Sequence, residues 1–534
     1  MPRISHTQPA SSLNTRAESQ QNNTLVFRCL ERLYLGLDFD IFSLHPSYIS
    51  IAMRISIPTL AVAATSILGA DALQLAQPRD AAPRVVHRDI QRRYVEDPIA
   101  RDRNRMRKRQ NTVSVSLANE ETLYFMNCTI GTPAQDFRLH IDTGSSDLWV
   151  NVPNSQLCSG QGDPCGASGT YQPNSSSTYE YLNSNFNITY VDGSGSVGDY
   201  ASDVVSFGGV TLQHQQLGIG YQSSSQEGIL GIGYPANEVA VAYNGGRTYP
   251  NVPQHLMQDG QINSNAYSLW LNDLDASTGS ILFGGVNTAK YHGELQTVPI
   301  IPEQGVYAEF IIALTGVGIN GSENSLVSNL ASPALLDSGS SLMYLPNNVA
   351  QKVFDAVGAQ YDERQGAAFV DCDLANSDMT VDFTFSSPTI SVGMDELVIV
   401  AGVDRGQPIC ILGVAPAGDT TPVLGDTFIR SAYIVYDLTA NQISLAQTNF
   451  NATGSDNVLE IHNGTNPVPS ATVVQNAVTS VAVQGGGHIN GGEPTAISGG
   501  GEPSGSSSNS GSPTAAAGYS GALIGAVAAA VFAL

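Results

Sequence analysis

The same pattern of residues surrounds an aspartate at two distant places in the chain. Residues 140–146 read HIDTGSS and residues 335–341 read LLDSGSS, so Asp142 and Asp337 each follow apolar residues and precede a hydroxyl residue and a glycine. An apolar run follows each motif, as expected of a strand that leads away from a tight turn. The chain therefore repeats one arrangement of strand, turn and strand in its two halves.

Other segments favour an all-β chain built from two similar lobes. Residues 227–233 (EGILGIG) and 422–426 (PVLGD) follow the two aspartates at similar intervals, and each contains an apolar pair that ends in glycine. Short apolar runs broken by Gly, Asn and Ser are frequent, whereas helical periodicity is scarce, with residues 349–359 as one candidate. We predict an N-terminal lobe over residues 110–300 and a C-terminal lobe over residues 301–450.

Two carboxyl groups held face to face provide an acid and a base from one residue type. Because like charges a few ångströms apart repel strongly, Asp142 and Asp337 cannot both ionise, so one keeps a proton and the other does not. Such a pair can activate a water molecule to attack an amide carbonyl and protonate the carbonyl oxygen. The two protons belong to the pair rather than to either residue.

The residues beside the aspartates are predicted to support the pair. Ser145 and Ser340 are placed to hydrogen-bond the outer carboxylate oxygens, and Thr143 and Ser338 to link the two loops beneath them. The glycines suit the tight turns that hold each carboxyl group. The predicted supporting residues are Thr143, Gly144, Ser145, Ser338, Gly339 and Ser340.

These motifs resemble those of the pepsin-like aspartic proteases. The similar segments are an opening strand at residues 124–135, two active-site loops at residues 142–150 (DTGSSDLWV) and 337–341 (DSGSS), and two apolar-apolar-glycine elements at residues 229–234 and 423–430. The resemblance implies a bilobal fold with two homologous, β-barrel-like lobes and a cleft between them. It also implies that Asp142 and Asp337 form the catalytic dyad of an endopeptidase that works at acid pH.

The resemblance also implies a hairpin flap over the cleft. Tyr190 matches the tyrosine at the flap tip, and Trp149 matches the residue that supports it. Asp192, Gly193 and Ser194 follow in the flap and would line the cleft. Asp192 is an attractive partner for a basic side chain, although Asp before Gly is also an ordinary turn pair.

The start of the chain contains a secretory signal at an unexpected position. Met53 and Arg54 precede a largely apolar run at residues 55–70, which predicts a signal peptide at residues 53–72. The run is short for a membrane span, which needs about 20 residues. We expect translation to start at Met53 and residues 1–52 to be a gene-model extension or disordered. A membrane anchor with a cytosolic tail is the alternative.

Residues 73–109 are basic and end in a basic pair. They hold 11 Lys and Arg against 5 Asp and Glu and finish in Lys108 and Arg109. Downstream of a signal peptide, this pattern predicts a pro-segment removed by a dibasic-cleaving protease, so that the mature chain begins near Gln110. A basic arm that stays attached is the alternative.

The other end of the chain predicts a lipid anchor. Residues 451–509 are predicted to be a Ser-, Gly- and Asn-rich stalk, and residues 510–534 end in a short apolar tail. Small residues, a spacer and an apolar tail match the signal for a glycosylphosphatidylinositol (GPI) anchor. The candidate attachment residues are Ser508, Asn509 and Ser510. A C-terminus without an anchor is the alternative.

Cysteines and glycosylation motifs agree with secretion. We predict two local disulfides, Cys158–Cys165 and Cys372–Cys410, and a buried free thiol at Cys128. Candidates for N-glycosylation are Asn127, Asn174, Asn187, Asn320, Asn451 and Asn463.

The charge of the chain is divided unevenly. Residues 1–109 hold 16 of the 23 Lys and Arg but only 10 of the 47 Asp and Glu, so the rest of the chain is strongly acidic. An acidic body repels nucleic acids and anionic membrane surfaces, and the few histidines show no metal-ligand spacing. We expect no nucleic-acid partner, no metal, no cofactor, and a monomer.

The basic pro-segment, acidic body and anchored tail make the layout similar to the fungal yapsin type of aspartic protease. That type is associated with cleavage after basic residues at the cell surface. The resemblance implies peptide or protein substrates, a dibasic-processing protease for maturation, and attachment to the outer face of the plasma membrane or the cell wall. A non-catalytic cell-wall protein that kept the fold is the alternative, and the intact dyad favours the protease.

Overall fold

The computed structural model describes residues 83–96, 120–190, 194–276, 278–464 and 468–482. These residues belong to one compact unit, residues 82–534. They form 29 β-strands, 5 α-helices and 4 short 3₁₀ helices, which confirms the prediction of an all-β chain. Within these described ranges, no helix combines the length and apolar character needed to cross a membrane.

The strands are numbered in chain order. They are β1 (Val86–Glu96), β2 (Glu120–Ile130), β3 (Gln135–Asp142), β4 (Leu148–Asn151), β5 (Glu180–Thr189), β6 (Gly195–Phe207), β7 (Val210–Ser223), β8 (Ile229–Gly231), β9 (Ala266–Trp270), β10 (Thr278–Phe283), β11 (Gly285–Asn287), β12 (Tyr291–Pro299), β13 (Ile311–Leu314), β14 (Gly316–Ile319), β15 (Ser322–Val327), β16 (Ser332–Leu336), β17 (Met343–Leu345), β18 (Gln360–Asp362), β19 (Ala367–Val370), β20 (Thr380–Thr384), β21 (Thr389–Gly393), β22 (Val398–Asp404), β23 (Gln407–Leu412), β24 (Val414–Pro416), β25 (Val423–Leu424), β26 (Ala432–Asp437), β27 (Gln442–Thr448), β28 (Val458–Glu460) and β29 (Ala471–Val473).

The helices are short and few. The α-helices are α1 (Val239–Tyr243), α2 (Val252–Gln258), α3 (Asn347–Val357), α4 (Met394–Leu397) and α5 (Asp426–Ile429), and the 3₁₀ helices are Pro173–Ser175, Pro235–Asn237, Thr288–Lys290 and Cys372–Asn376. The predicted helix at residues 349–359 corresponds to α3. It ends at Gly358, whose φ of 76° is the left-handed conformation that commonly terminates a helix.

Most strands of the first half lie in one large sheet, which strands of the second half extend. Its order is β29-β12-β27-β26-β9-β10-β1-β2-β3-β8-β4-β7-β6-β5, and the smaller sheets are β11-β28, β13-β16-β25-β17-β24, β15-β14-β20-β21 and β18-β19-β23-β22. β26 pairs with β9 antiparallel, so strands from both halves of the chain meet within the large sheet. The buried rings of Tyr267, Phe310 and Tyr436 pack against one another at this junction, with centroid distances of 4.7–6.4 Å.

The repeated sequence motif corresponds to a repeated strand arrangement. In the first half, β3 pairs in parallel with β8, β8 pairs antiparallel with β4, and β4 pairs in parallel with β7. In the second half, β16, β25, β17 and β24 repeat these pairings in the same order. Asp142 is the last residue of β3 and Asp337 directly follows β16, so each aspartate stands at the end of a corresponding strand.

The apolar-apolar-glycine elements are the strands against which the aspartate loops pack. A Cβ atom at Gly231 would lie 2.6 Å from the backbone nitrogens of Ser146 and Asp147, and one at Gly425 would lie 2.3 Å from the carbonyl oxygen of Ser340. Real Cβ atoms do not approach backbone this closely, so glycine is required at both places. The two glycines explain why the repeat includes these elements as well as the aspartates.

Packed structure extends beyond the predicted end of the C-terminal lobe at residue 450. β28 pairs with β11, and β29 pairs in parallel with β12. Ile461 and Val468 are buried against the large sheet. β28 and β29 lie within residues 451–509, the segment predicted to be a stalk, and their pairing depends on tertiary contacts that composition does not reveal.

Part of the predicted pro-segment forms an interior strand. β1 lies between β10 and β2 and pairs antiparallel with both, with Arg92 opposite Tyr124 and Ile90 opposite Gly279. Val86 and Ile90 are buried in the main hydrophobic cluster. The basic composition of the segment does not reveal this, because backbone pairing and a few buried apolar residues are enough to hold the strand.

One buried ion pair supports the second half of the chain. Arg430 donates to the side chain of Glu396 and, at 2.8 Å, to its carbonyl oxygen, and both residues are 1% exposed. We expect Arg430→Met to lower the free energy of unfolding by about 3–5 kcal/mol, because it leaves a buried carboxylate without its cation. Urea unfolding measures this change. Arg364→Met, at an exposed turn, should change stability by less than about 0.5 kcal/mol, and equal effects of the two substitutions would contradict the prediction.

Candidate active site

The two aspartates are buried and are held by matching contacts. Asp142 is 1% exposed and Asp337 3% exposed. Each carboxyl group accepts a hydrogen bond from the backbone N–H two residues later and another from the serine hydroxyl three residues later. The four bonds are Gly144 N to Asp142 Oδ1 (2.8 Å), Ser145 Oγ to Asp142 Oδ2 (2.5 Å), Gly339 N to Asp337 Oδ1 (2.9 Å) and Ser340 Oγ to Asp337 Oδ2 (2.6 Å).

Four crossed hydrogen bonds join the two loops. Thr143 Oγ1 accepts from Ser338 N at 2.9 Å and donates to Leu336 O at 2.9 Å. In return, Ser338 Oγ accepts from Thr143 N at 3.2 Å and donates to Ile141 O at 3.0 Å. The structure therefore links the loops through the two residues expected to do so.

The glycines allow each loop to approach the carboxyl group of the other. A Cβ atom at Gly144 would lie 2.5 Å from Asp337 Oδ1, and one at Gly339 would lie 2.5 Å from Asp142 Oδ1. Any side chain at either position would push the two loops apart. The glycines thus have a second purpose besides the turn, namely to bring the carboxyl groups face to face.

Burial and mutual repulsion favour a retained proton on the pair. Burial first, and then the charge of Asp142, raise the pKa of Asp337 to about 8. The hydroxyl of Ser340 and the N–H of Gly339 oppose this shift because they stabilise the ionised form. One proton therefore stays on the pair throughout the acid range.

An aromatic cluster stands beside the pair. Tyr190 accepts a hydrogen bond from Trp149 Nε1 at 2.8 Å and is 5% exposed. It belongs to one buried cluster with Phe186 and Tyr200, and burial first, and then the charge of Asp142, raise its pKa. Tyr190 N donates to Ser194 O at 2.8 Å, which closes the hairpin between β5 and β6. Asp192 and Gly193 lie outside the described residues.

A buried carboxylate behind this cluster was not singled out from the sequence. Asp147 accepts hydrogen bonds from Tyr200 Oη at 2.6 Å, Tyr249 Oη at 2.8 Å and Val239 N at 2.9 Å. It therefore anchors the loop after Ser146 to β6 and α1. The sequence indicates Asp147 only by its position inside the first motif. Its hydrogen-bond partners come from distant segments, which the motif does not identify.

The structure also describes most of the remaining predicted residues. It joins Cys158 to Cys165 and Cys372 to Cys410, and Cys128 is a buried free thiol. Asn187 is half-buried, and the exposed candidates for glycosylation are Asn127, Asn174, Asn320, Asn451 and Asn463. Lys108, Arg109, Ser508, Asn509 and Ser510 lie outside the described residues.

The described part of the chain contains no group of three or more His, Cys, Asp or Glu side chains arranged to hold a metal ion. The reactive groups at the candidate site are the carboxyl groups of Asp142 and Asp337. The hydrogen-bond donors around the pair come from the backbone and from hydroxyl groups.

The chain is similar to known proteases over this whole region. Residues 123–448 match the family model described as eukaryotic aspartyl protease. The chain is 57% identical over 435 residues to the probable aspartic-type endopeptidase opsB of Aspergillus oryzae, covering 80% of this chain and 88% of that protein. It is 41% identical over 352 residues to candidapepsin-3 of Candida albicans, covering 64% of this chain and 83% of that protein.

A solved structure supports the fold. The aspartic proteinase from Irpex lacteus superimposes with a TM-score of 0.51 and 24% sequence identity, over 63% of this chain and 96% of that one. Together with the repeated strand arrangement and the carboxyl pair, these matches confirm the pepsin-like fold and an aspartic-type endopeptidase activity. The chain belongs to the eukaryotic aspartyl protease family.

Proposed function

We propose that this protein is a secreted, cell-surface-anchored endopeptidase that hydrolyses peptide bonds at acid pH through Asp142 and Asp337, with a preference for basic residues near the scissile bond. The observation that carries the proposal is the buried, symmetrically held carboxyl pair. A serine hydroxyl donates a hydrogen bond to each carboxyl group, and the crossed hydrogen bonds between the two loops hold the carboxyl groups facing each other. Such an arrangement supports a proton shared between them.

The ionised member of the pair acts as the general base. It takes a proton from a water molecule as the water oxygen attacks the carbonyl carbon of the peptide, while the protonated member donates its proton to the carbonyl oxygen. A tetrahedral diol forms. Its C–N bond breaks as the newly protonated carboxyl group gives its proton to the leaving nitrogen and the other carboxylate takes a proton from a diol hydroxyl, which becomes the new carbonyl. The pair regains its starting protonation state, so no other group has to titrate.

The hydrogen bonds around the pair prepare it for this exchange. The serine hydroxyls and the glycine N–H groups bind the carboxylate form, which limits the rise in pKa caused by burial. The Trp149–Tyr190 bond holds the tyrosine ring near Asp142, where it would exclude water from a bound peptide. Asp192, two residues beyond Tyr190, supplies one negative charge for a basic substrate side chain.

The proposal of secretion and anchoring is supported by the sequences at the two ends of the chain, by the disulfides and by the exposed candidates for glycosylation. The disulfides favour an oxidising compartment, and most candidate glycosylation sites are exposed on strands or turns. The basic segment 73–109 would cover the acidic body until it is cut after Lys108 and Arg109. The apolar tail and the small residues before it support a GPI anchor and a location on the outer face of the plasma membrane or in the cell wall. We further propose that the protein acts as a monomer.

Replacing either aspartate should abolish catalysis without loss of the fold. In Asp142→Asn or Asp337→Asn the pair cannot exchange its proton, so we expect kcat/KM for a peptide to fall by at least about 10³-fold. The variants should be secreted and should unfold at or above the temperature of the wild type, because a buried charge has been removed. Retained activity in either folded variant would contradict the mechanism.

Digestion of a peptide library at several pH values tests activity, acid dependence and basic preference together. We expect cleavage to be fastest at acid pH and to disappear as the pH rises towards the raised pKa of Asp337, about 8, since the shared proton is then lost. Cleavage sites should be enriched in Lys and Arg. An activity that increases through neutrality would argue against a shared-proton dyad.

The anchor can be tested on intact cells that express the full chain. A phosphatidylinositol-specific phospholipase should release the protein into the medium, because it cuts the lipid from a GPI anchor. A chain that ends at residue 507 serves as the control and should be found in the medium without treatment. Protein that stays on treated cells while a known GPI-anchored marker is released would contradict the anchor.

A further inference from the structure

A group of exposed aromatic and apolar side chains lies at one end of the large sheet. β5 is the terminal strand of that sheet, and it carries Tyr181, which is 52% exposed, and Leu182, which is 38% exposed. Tyr221, which is 39% exposed, stands on β7, and β6 lies between the two strands. Single exposed apolar side chains are common on proteins, whereas a connected group indicates an interaction surface.

Hydrogen bonds connect the two tyrosines through one carboxylate. Tyr221 Oη donates to Asp199 Oδ2 at 2.9 Å, and Ser184 Oγ donates to Asp199 Oδ1 at 2.6 Å. Tyr181 Oη and Ser184 Oγ share a hydrogen bond of 3.0 Å. Both phenol rings are therefore held at their hydroxyl ends while much of each ring stays exposed. We call Tyr181, Ser184, Asp199 and Tyr221 the tyrosine platform.

The sheet presents the platform on the face opposite the buried aromatic cluster. Tyr200 belongs to that cluster, and Asp199, one residue before it on β6, points the other way. The pairing of β5 with β6 is irregular between Tyr181 and Asn183 and again between Asn183 and Phe186. Such irregularities twist the edge of a sheet and make it a poor place for another strand to pair. A partner at this edge would therefore recognise side chains rather than backbone.

The charges around the platform disfavour an anionic partner. Residues 180–223, which include β5, β6 and β7, contain no Lys or Arg. An anionic polymer would meet Asp199 and the acidic body without a compensating cation. Both oxygens of Asp199 already accept from neutral hydroxyl groups, and each can accept one more hydrogen bond. Further hydroxyl donors on a neutral ligand would suit this carboxylate.

A neutral polysaccharide matches these features. A pyranose ring has C–H groups on its faces, which can pack on an aromatic ring, and hydroxyls around its edge, which can donate to a carboxylate. Tyrosine suits such contacts because its ring is large and rigid and loses little conformational freedom when it binds. Asn185 and Gln222 are exposed next to Ser184 and Tyr221 and offer amide groups to further hydroxyls.

We propose that Tyr181, Tyr221 and Asp199 bind a neutral polysaccharide of the cell wall. The two phenol rings pack on sugar rings, and the carboxylate accepts hydrogen bonds from sugar hydroxyls. This inference goes beyond the proposed peptidase activity and draws only on the proposed location of the protein. Binding is separable from catalysis, because the platform lies on the other face of the sheet from the cluster that contains Tyr190.

The experiment measures how much protein sediments with insoluble particles of neutral polysaccharide. The full chain is expressed, purified and mixed with particles of β-glucan or of chitin. We expect Tyr181→Ala combined with Tyr221→Ala to raise the Kd for the bound polymer by at least about tenfold, and Asp199→Asn to raise it by about threefold. Because the ligand is neutral, the Kd of the wild type should change by less than about twofold between about 0.05 and 0.5 M salt.

Matched variants separate ring contact from general effects on the surface. Tyr243→Ala removes a tyrosine that is 41% exposed on α1 and should leave binding unchanged. Tyr181→Phe combined with Tyr221→Phe keeps the rings and should retain more binding than the double alanine variant. A thermal unfolding midpoint within about 2 °C of the wild type shows that each variant is folded, whether or not it cleaves peptides.

The outcomes separate this inference from its alternatives. Binding that is lost in the double alanine variant and kept in Tyr243→Ala would support it. Absence of binding to both polymers, or equal binding by the double alanine variant and the wild type, would overturn it. Binding that weakens steeply with salt would assign the surface to a charged ligand and would also overturn it.

The glycosylation candidate on β5 provides the last control. Asn187→Gln removes any glycan that could reach the platform from the same strand. Binding seen only in this variant would show that the protein's own glycan covers the platform, and it would overturn the inference. Sedimentation does not depend on peptide cleavage, so the inference and the proposed protease function can fail independently.

Discussion

The crossed hydrogen bonds between Thr143 and Ser338 fix the distance between two carboxyl groups that repel each other. Each hydroxyl both accepts from one backbone group and donates to another, so neither loop can shift without breaking bonds in both halves of the chain. The strands behind the loops pack closely through glycine residues. They bring Thr143 and Ser338 to the same level, where each can reach the other loop. Burial and this enforced proximity together raise the pKa of Asp337, so we expect the two carboxyl groups to share a proton.

The parts that the sequence predicts well are those in which a local pattern carries the function. Asp142 and Asp337 are surrounded by the same residue types, and the hydroxyls that bind them stand at a fixed short spacing. A hydrogen bond between residues three positions apart depends on a single turn, and turn residues can be recognised in a sequence. The family resemblance extended this to Trp149 and Tyr190, whose contact no pattern of spacing would have indicated.

The parts that were missed depend on contacts between distant segments. Asp147 is anchored by tyrosines from β6 and from the loop before α2, and neither is marked by composition. The docking of β28 and β29 shows the same limit, because a polar and Gly-rich stretch can still bury a few apolar residues such as Ile461 against an existing sheet.

If the chain is cut after Arg109 as proposed, the place of β1 within the large sheet would separate that cut from the release of the pro-segment. The first half of β1 (residues 86–91) pairs with β10 and the second half (residues 91–96) pairs with β2, and this pairing does not depend on the peptide bond after Arg109. Hydrolysis there would leave residues 86–96 bound between β10 and β2 as a noncovalent ligand of the nicked chain. The departure of that strand would then be a dissociation step with its own rate, and the time course of maturation would have two phases rather than one.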